Sequence, residues 1–338
     1  MKHTTNVLIA FISLFILAQV LGLYLLSMSI QEIVQTGPTS VVIYSNTSIG
    51  ERPQVEGYSS LIYIAIGILI GTVALLLLAR FNKMGFWKVW YFLAAWMTMS
   101  ISVGVLTGEN LSWLAWIIAA CLAIIKIRYS HPLIHNLTEI LMYTGIALLL
   151  APILIVPVAI ALLILISLYD AYAVWKSKHM IKLAEFTKKS NLFPGLSLSY
   201  IQKKDKTKII TNNIKSDKNL KDESTNTEKN RNESKSLKSD KSSEKSNESS
   251  EKPRIGILGG GDVVFPMLLS GAVFTHLIEI GNTKLTALAY SSIISLGAAI
   301  ALTLLFIYGK KDRFYPAMPF ITTGCLVGYG IMQLIMIL

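Results

Sequence analysis

Two aspartates stand where charge is costly. Asp170 follows Tyr169 inside the apolar run Ile155–Trp175, IVPVAIALLILISLYDAYAVW. Asp262 follows Gly259, Gly260 and Gly261 inside Ile255–Ile280, IGILGGGDVVFPMLLSGAVFTHLIEI. Runs of about 20 apolar residues are long enough to cross a bilayer as helices. A carboxylate within such a span is rare without a purpose, because little there replaces its hydration. Asp170 lies six residues before Lys176, and Asp262 lies eight residues after Arg254. At a helical rise of about 1.5 Å per residue, both acids reach roughly 9–12 Å inside the same boundary. Glu139 and Glu279 lie near span ends and can reach an interface, so these two aspartates are the acids expected well inside a span.

Two carboxyls at one level in a dry site can hydrolyse an amide without metal or covalent intermediate. The ionised one takes a proton from water while the neutral one donates to the carbonyl oxygen. They share one proton because like charges in contact cannot both ionise cheaply. The alternative is that each aspartate merely satisfies a hydroxyl or backbone group in the bundle.

Two further stretches could shape such a site. Gly256, Gly259, Gly260 and Gly261 crowd one and a half turns, and each costs a helix about 1 kcal/mol relative to Ala. They imply a loosened helix start beside Asp262 where another backbone comes close. Gly256 and Gly260 also fit a close helix contact. Pro316-Ala317-Met318-Pro319 follows Arg313 by three residues, so it enters at the level of the aspartates. Two prolines three apart discourage regular helix. Ala317 and Met318 are then expected to be extended, with backbone groups free to pair with an unwound substrate strand. The same prolines also suit the first turn of a last helix.

The elements that must hold these residues are membrane helices. The 338 residues are 53% hydrophobic and 15% charged, with mean hydropathy +0.54. That composition excludes an ordinary soluble domain. Nine apolar spans are expected, at about 6–30, 59–79, 84–107, 110–128, 137–153, 155–175, 255–280, 285–308 and 315–337. The fifth and sixth meet in a tight hairpin near Pro152 and Pro157. The first is too long for the apolar core of a secretion signal.

The net charge of +11 does not point to nucleic acid. Of the 31 Lys and Arg, 20 lie between Lys176 and Arg254 with 11 acids among them, a surplus of nine in one mixed-charge tract. Residues 176–189 suit a short helix lying on the membrane surface, and 203–252 have the composition of a disordered tether. With nine spans, Lys2, Arg80, Lys83, Lys88, Lys126, Arg128, Lys310, Lys311, Arg313 and the 176–254 tract share one side, against Arg52 and Lys284 on the other. The basic side is cytoplasmic by the positive-inside rule. The organisation expected is therefore 1–175 with six helices, a cytoplasmic loop at 176–254, and 255–338 with three helices. The chain is a cell-membrane protein with its C-terminus outside. Cys121 and Cys325 lie in apolar stretches with no zinc or disulfide spacing, so neither metal nor cofactor is expected.

Tyr169-Asp170 in the sixth span, Gly259-Gly260-Gly261-Asp262 in the seventh and Pro316-Ala317-Met318 opening the ninth resemble the YD, GxGD and PAL signatures of the presenilin and signal peptide peptidase family. The nine spans with a long polar loop after the sixth resemble it too. The resemblance implies an all-α polytopic membrane protein of presenilin-like fold and an intramembrane aspartyl endopeptidase. Asp170 and Asp262 would be the catalytic dyad. Tyr169, Gly259 and Gly261 would support it, and Pro316, Ala317 and Met318 would contact substrate, with Met318 in place of the usual Leu. Substrates would be transmembrane helices of other proteins, met within membrane lipid, and no obligate partner subunit is implied. The loop orientation is presenilin-like. The competing class is an ion or proton transporter using Asp170 and Asp262 as relay acids, which does not account for the Pro-Ala-Met-Pro segment.

Overall fold

A computed structural model describes residues 5–37, 39–53, 55, 57–81, 83–129, 131–177, 194–200, 254–309 and 316–338. Among these, nine long helices form: α1 (Thr5–Met28), α2 (Ser59–Arg80), α3 (Met84–Thr107), α4 (Ser112–Arg128), α5 (Pro132–Leu150), α6 (Val156–Tyr172), α7 (Gly260–Glu279), α8 (Lys284–Tyr308) and α9 (Met318–Ile337). Eight are long and apolar enough to span a membrane, and α4, with 17 residues, sits at the short limit. The protein is thus an all-α polytopic membrane protein. The surface helix expected at 176–189 and the tract 203–252 fall outside the described residues, except for Lys176 and Ser177.

Most of the chain, 1–198 with 256–338, forms one compact unit, and 199–255 form a second of which only the ends are described. Within the first, α7 is the axis. It touches α1, α5, α6, α8 and α9, and 78% of its spanning window is buried. At the other extreme α2 is 6% buried, and Ile62, Leu69 and Ile70 project outward. Both helices are apolar on nearly every face, for opposite reasons: α7 meets protein all round, while α2 has the surface of a helix that meets lipid.

Glycine lets two of the helices touch. A Cβ on Gly297 of α8 would lie 2.3 Å from the carbonyl oxygen of Gly324, and one on Gly324 of α9 would lie 2.4 Å from that of Gly297. The two backbones touch directly, as small residues permit where no apolar driving force separates helix from lipid.

Strands complete the fold. β1 (Ile30–Thr36) and β2 (Thr39–Tyr44) form an antiparallel hairpin between α1 and α2. Its Tyr44 hydroxyl bonds Thr275 of α7 at 2.6 Å. Arg52, just beyond the hairpin, donates to the carbonyls of Ser45 and Leu148 and lies 5.3 Å from the centre of the Tyr44 ring. Burial pulls the Arg52 guanidinium below its ordinary pKa and pushes the Tyr44 hydroxyl above its own. β3 (Gly195–Tyr200) pairs with β4 (Arg254–Gly259), which runs straight into α7.

Two boundaries correct the sequence reading. Residues 254–259 are strand rather than the start of the seventh helix, so Gly256 makes no helix contact with Gly260. An extended chain rises about 3.3 Å per residue, so the depth inferred for Asp262 from helical rise does not hold. The fifth helix starts at Pro132 rather than near 137, with His131 capping Leu133 and proline in its first turn. The fifth and sixth spans do meet tightly, through a 3-10 turn at Ala151–Ile153.

Candidate active site

Asp170 belongs to the packed face of α6. Ala159, Leu162, Leu163, Ile166, Ser167 and Asp170 are buried at spacings of three and four, the rows that share one side of a helix. Asp170 is 9% exposed, whereas the adjacent Tyr169 is 48% exposed and faces away. Sequence adjacency thus separates the two motif residues in space. A π-helical turn, Ala173–Ser177, follows at once. Such irregular turns recur at functional sites.

Asp262 is the third residue of α7, whose N-cap is Gly259. Its carboxyl reaches back to the backbone N–H of Gly259, the reciprocal contact that an acid at this position makes in a capping box. A Cβ on Gly259 would lie 3.2 Å from Asp262 Oδ2, tight against the same carboxylate. The helix dipole favours negative charge here as well. Gly261 lies open, with only Phe265 of its own helix near its missing Cβ. The carboxyls of Asp170 and Asp262 stand within electrostatic reach of each other.

α9 comes to the same place. Its first residue, Met318, donates its backbone N–H to Asp170 Oδ2 at 3.3 Å, and one turn on Thr322 donates to the Leu163 carbonyl of α6 at 3.5 Å. Pro316 and Met318 are buried. Ala317 is in right-handed helical conformation (φ −79°, ψ −34°), and Pro319 sits in the first turn. The expectation of an extended Ala317 and Met318 is therefore incorrect. Proline in the first turn costs nothing, because the N–H it lacks has no helical partner there. The Met318 N–H, one of the first-turn donors with no partner within the helix, goes to the aspartate.

Several supporting residues were missed. Glu139, expected near an interface, is wholly buried on α5. It pairs with Lys126 of α4 at 2.8 Å, with the two side chains 0% and 1% exposed. It also accepts from the hydroxyls of Tyr91 at 2.6 Å and Tyr143 at 2.5 Å. The reading failed because Pro132 lengthens α5 by a turn and moves Glu139 inward. The Tyr143 ring lies over Gly260, 2.8–3.1 Å from where its Cβ would be. Asn136, on the same face of α5, exchanges two hydrogen bonds with the Ser197 backbone of β3, both 2.9 Å. Behind Asp262, Pro266 withholds the N–H that the Asp262 carbonyl would accept. Gln19 of α1 donates to the next carbonyl, Val263, at 2.8 Å, and Ser295 of α8 donates to Gln19 at 3.2 Å. Pro266 was the visible signal for this polar support. Among the described residues, no three of His, Cys, Asp or Glu gather as a metal site.

Comparisons with known proteins agree with this architecture. Two solved structures of a presenilin family intramembrane aspartate protease, in space groups C222 and P2, each cover 96% of this chain and 96% of their own. They superpose with TM-scores of 0.53 and 0.55 at 14% and 16% identity, which is likeness of fold. No curated protein matches the sequence. The profile of the family described as signal-peptide peptidase, presenilin aspartyl protease matches residues 12–337. With nearly its whole length matched, the chain belongs to the signal-peptide peptidase and presenilin family of aspartyl proteases.

Proposed function

We propose that the chain hydrolyses peptide bonds within transmembrane segments of other proteins, with Asp170 and Asp262 as a water-activating pair. The observation that carries this reading is convergence. Three segments far apart in sequence bring Asp170, Asp262 and the Met318 N–H to one place. In the proposed cycle one carboxylate removes a proton from water, which attacks the scissile carbonyl carbon. The other carboxyl donates its proton to the carbonyl oxygen, forming a tetrahedral diol. The first acid, now protonated, then protonates the leaving nitrogen as the C–N bond breaks, while the other, now ionised, takes back a proton from a hydroxyl of the diol. No atom of the enzyme becomes covalently attached.

Gly259 holds the Asp262 carboxyl through its N–H, and Gly261 leaves open the side where a substrate backbone must approach. Pro316, Ala317 and Met318 are the proposed substrate contacts, with Met318 also fixing Asp170. Tyr169, facing outward, supports the site through α6 rather than by touching it. The substrate must unwind locally, since a helix shields the carbonyl that water attacks. The excess of basic residues favours a cytoplasmic N-terminus and 176–254 loop, with the C-terminus outside.

The test is to incubate detergent-purified protein with a transmembrane peptide and identify fragments by mass spectrometry. Cleavage by the parent, and its loss in Asp170→Asn and Asp262→Asn variants that remain folded, is expected. Substantial turnover by either variant would refute the dyad.

A further inference from the structure

We propose that Tyr143 is a positioning residue for Asp262, anchored by the buried Lys126–Glu139 pair and acting through Gly260. This rests on the proteolytic reading above and assigns it a device outside the three motifs.

The chain of contacts is short. Glu139 and Tyr143 lie four residues apart on one face of α5, so both side chains point at the same neighbour. The Glu139 carboxylate has three donors: Lys126 Nζ, Tyr91 Oη and Tyr143 Oη. Lys126 is itself fixed by Thr138 Oγ1 at 2.9 Å. A carboxylate held from three sides, with no exposure, has one position, and so has the Tyr143 hydroxyl bonded to it. The ring of Tyr143 then occupies the volume that a side chain at residue 260 would need. Residue 260 is the first residue of α7, two before Asp262. The backbone carrying Asp262 is thus pressed against a ring that cannot swing away without breaking its bond to a buried charge.

A charge pair inside a membrane protein calls for a functional account, because both charges lose hydration. Replacement of such pairs by apolar residues is often neutral or stabilising. The stability of the bundle therefore does not explain its presence here. Its location does: the pair meets the catalytic helix at the residue beside the motif glycines, through one tyrosine. The same face of α5 carries Asn136, which holds β3, the partner strand of the β4 segment that leads into Gly260. One helix face therefore fixes both the strand before Asp262 and the first turn that bears it.

The experiment measures kcat and KM for the transmembrane peptide in single variants and their combinations, Tyr143→Leu and Lys126→Met/Glu139→Leu alone included, with thermal midpoints alongside. Tyr143→Phe keeps the ring and loses the anchor. Its kcat should fall about tenfold with KM unchanged, since displacements near 1 Å at a reacting group cost up to about 10²-fold. In a Lys126→Met/Glu139→Leu background, where the anchor is already gone, Tyr143→Phe should cost nothing more. Gly260→Ala should lower kcat more than Tyr143→Phe, because a methyl meets the ring. Gly260→Ala with Tyr143→Leu, which removes the ring, should regain part of that loss. If Tyr143→Phe retains the parent kcat, or if the Gly260 and Tyr143 effects simply multiply, the positioning role is refuted. A general packing role would lower the thermal midpoint and leave kcat per folded molecule unchanged, which also refutes it. These outcomes differ from failure of the proteolytic reading, in which the parent itself yields no fragments or Asp262→Asn still cleaves.

Discussion

Replacing Gly324 by alanine tests how the last helix governs the site. The added Cβ would lie 2.4 Å from the Gly297 carbonyl oxygen and 2.5 Å from the Ala301 Cβ. A carbon needs about 3.3 Å from a carbonyl oxygen, so α9 must move away from α8 by about 1 Å. Overpacking of this kind costs about 1–3 kcal/mol, against a gain in helix propensity of about 1 kcal/mol for Gly to Ala. The net stability change is expected to be small, between about zero and 2 kcal/mol of loss. The effect on turnover should be larger. Met318 lies six residues before Gly324 on the same helix, and its N–H bond to Asp170 is already 3.3 Å long. A further 1 Å breaks it, and misplacement on that scale costs up to about 10²-fold in rate. The assay is cleavage of a transmembrane peptide by purified protein, with the thermal midpoint in detergent measured in parallel. Gly330→Ala is the control: it lies on the same helix, nothing lies within 4 Å of its missing Cβ, and it should be neutral or slightly stabilising. Equal activity in the two variants would refute the coupling of α9 packing to the aspartate.

Lys126→Met leaves the buried Glu139 without its cation and should cost about 3–5 kcal/mol, read as a large fall in thermal midpoint. Adding Glu139→Gln should recover much of it, and equal midpoints for single and double variants would refute the pairing. Two carboxyls sharing one proton predict a bell-shaped pH profile of kcat/KM. Activity falls in acid as the base becomes protonated and in alkali as the acid ionises, and a profile without an alkaline limb would refute the shared proton. For orientation, a single cysteine replacing the exposed Asn46 should react with a membrane-impermeant thiol reagent in intact cells, in a chain lacking Cys121 and Cys325. Reaction of a single cysteine placed at Ser239 instead would invert the assignment.

Much of this fold was legible because a membrane span is a long, unambiguous apolar signal. Nine runs became nine long helices among the described residues, and the tight hairpin between the fifth and sixth was visible from its prolines. The motif residues were legible because acid, glycine and proline are conspicuous against leucine and isoleucine. What failed was of two kinds. An apolar run does not reveal where strand gives way to helix, so Arg254–Gly259 was merged into α7. Tertiary pairing leaves no local mark either. Nothing in the surroundings of Glu139 names Lys126 on another helix, and nothing about Tyr143 says that it covers Gly260. Pro132 and Pro266 were readable signals whose consequences depend on what packs around them.

The Lys126–Glu139 pair also bears on how the chain enters the bilayer. Lys126 lies two residues from the end of α4 and its long stem can extend its ammonium to the interface, so α4 inserts with little penalty. Glu139 lies near the middle of α5 and has no such escape. A lone charge there costs about 2.5–3.5 kcal/mol on translocation scales. The cation is made first and waits thirteen positions upstream, across a short turn. Insertion of the fourth and fifth spans as one event is the expected consequence, a hairpin whose second arm enters against a countercharge already in place.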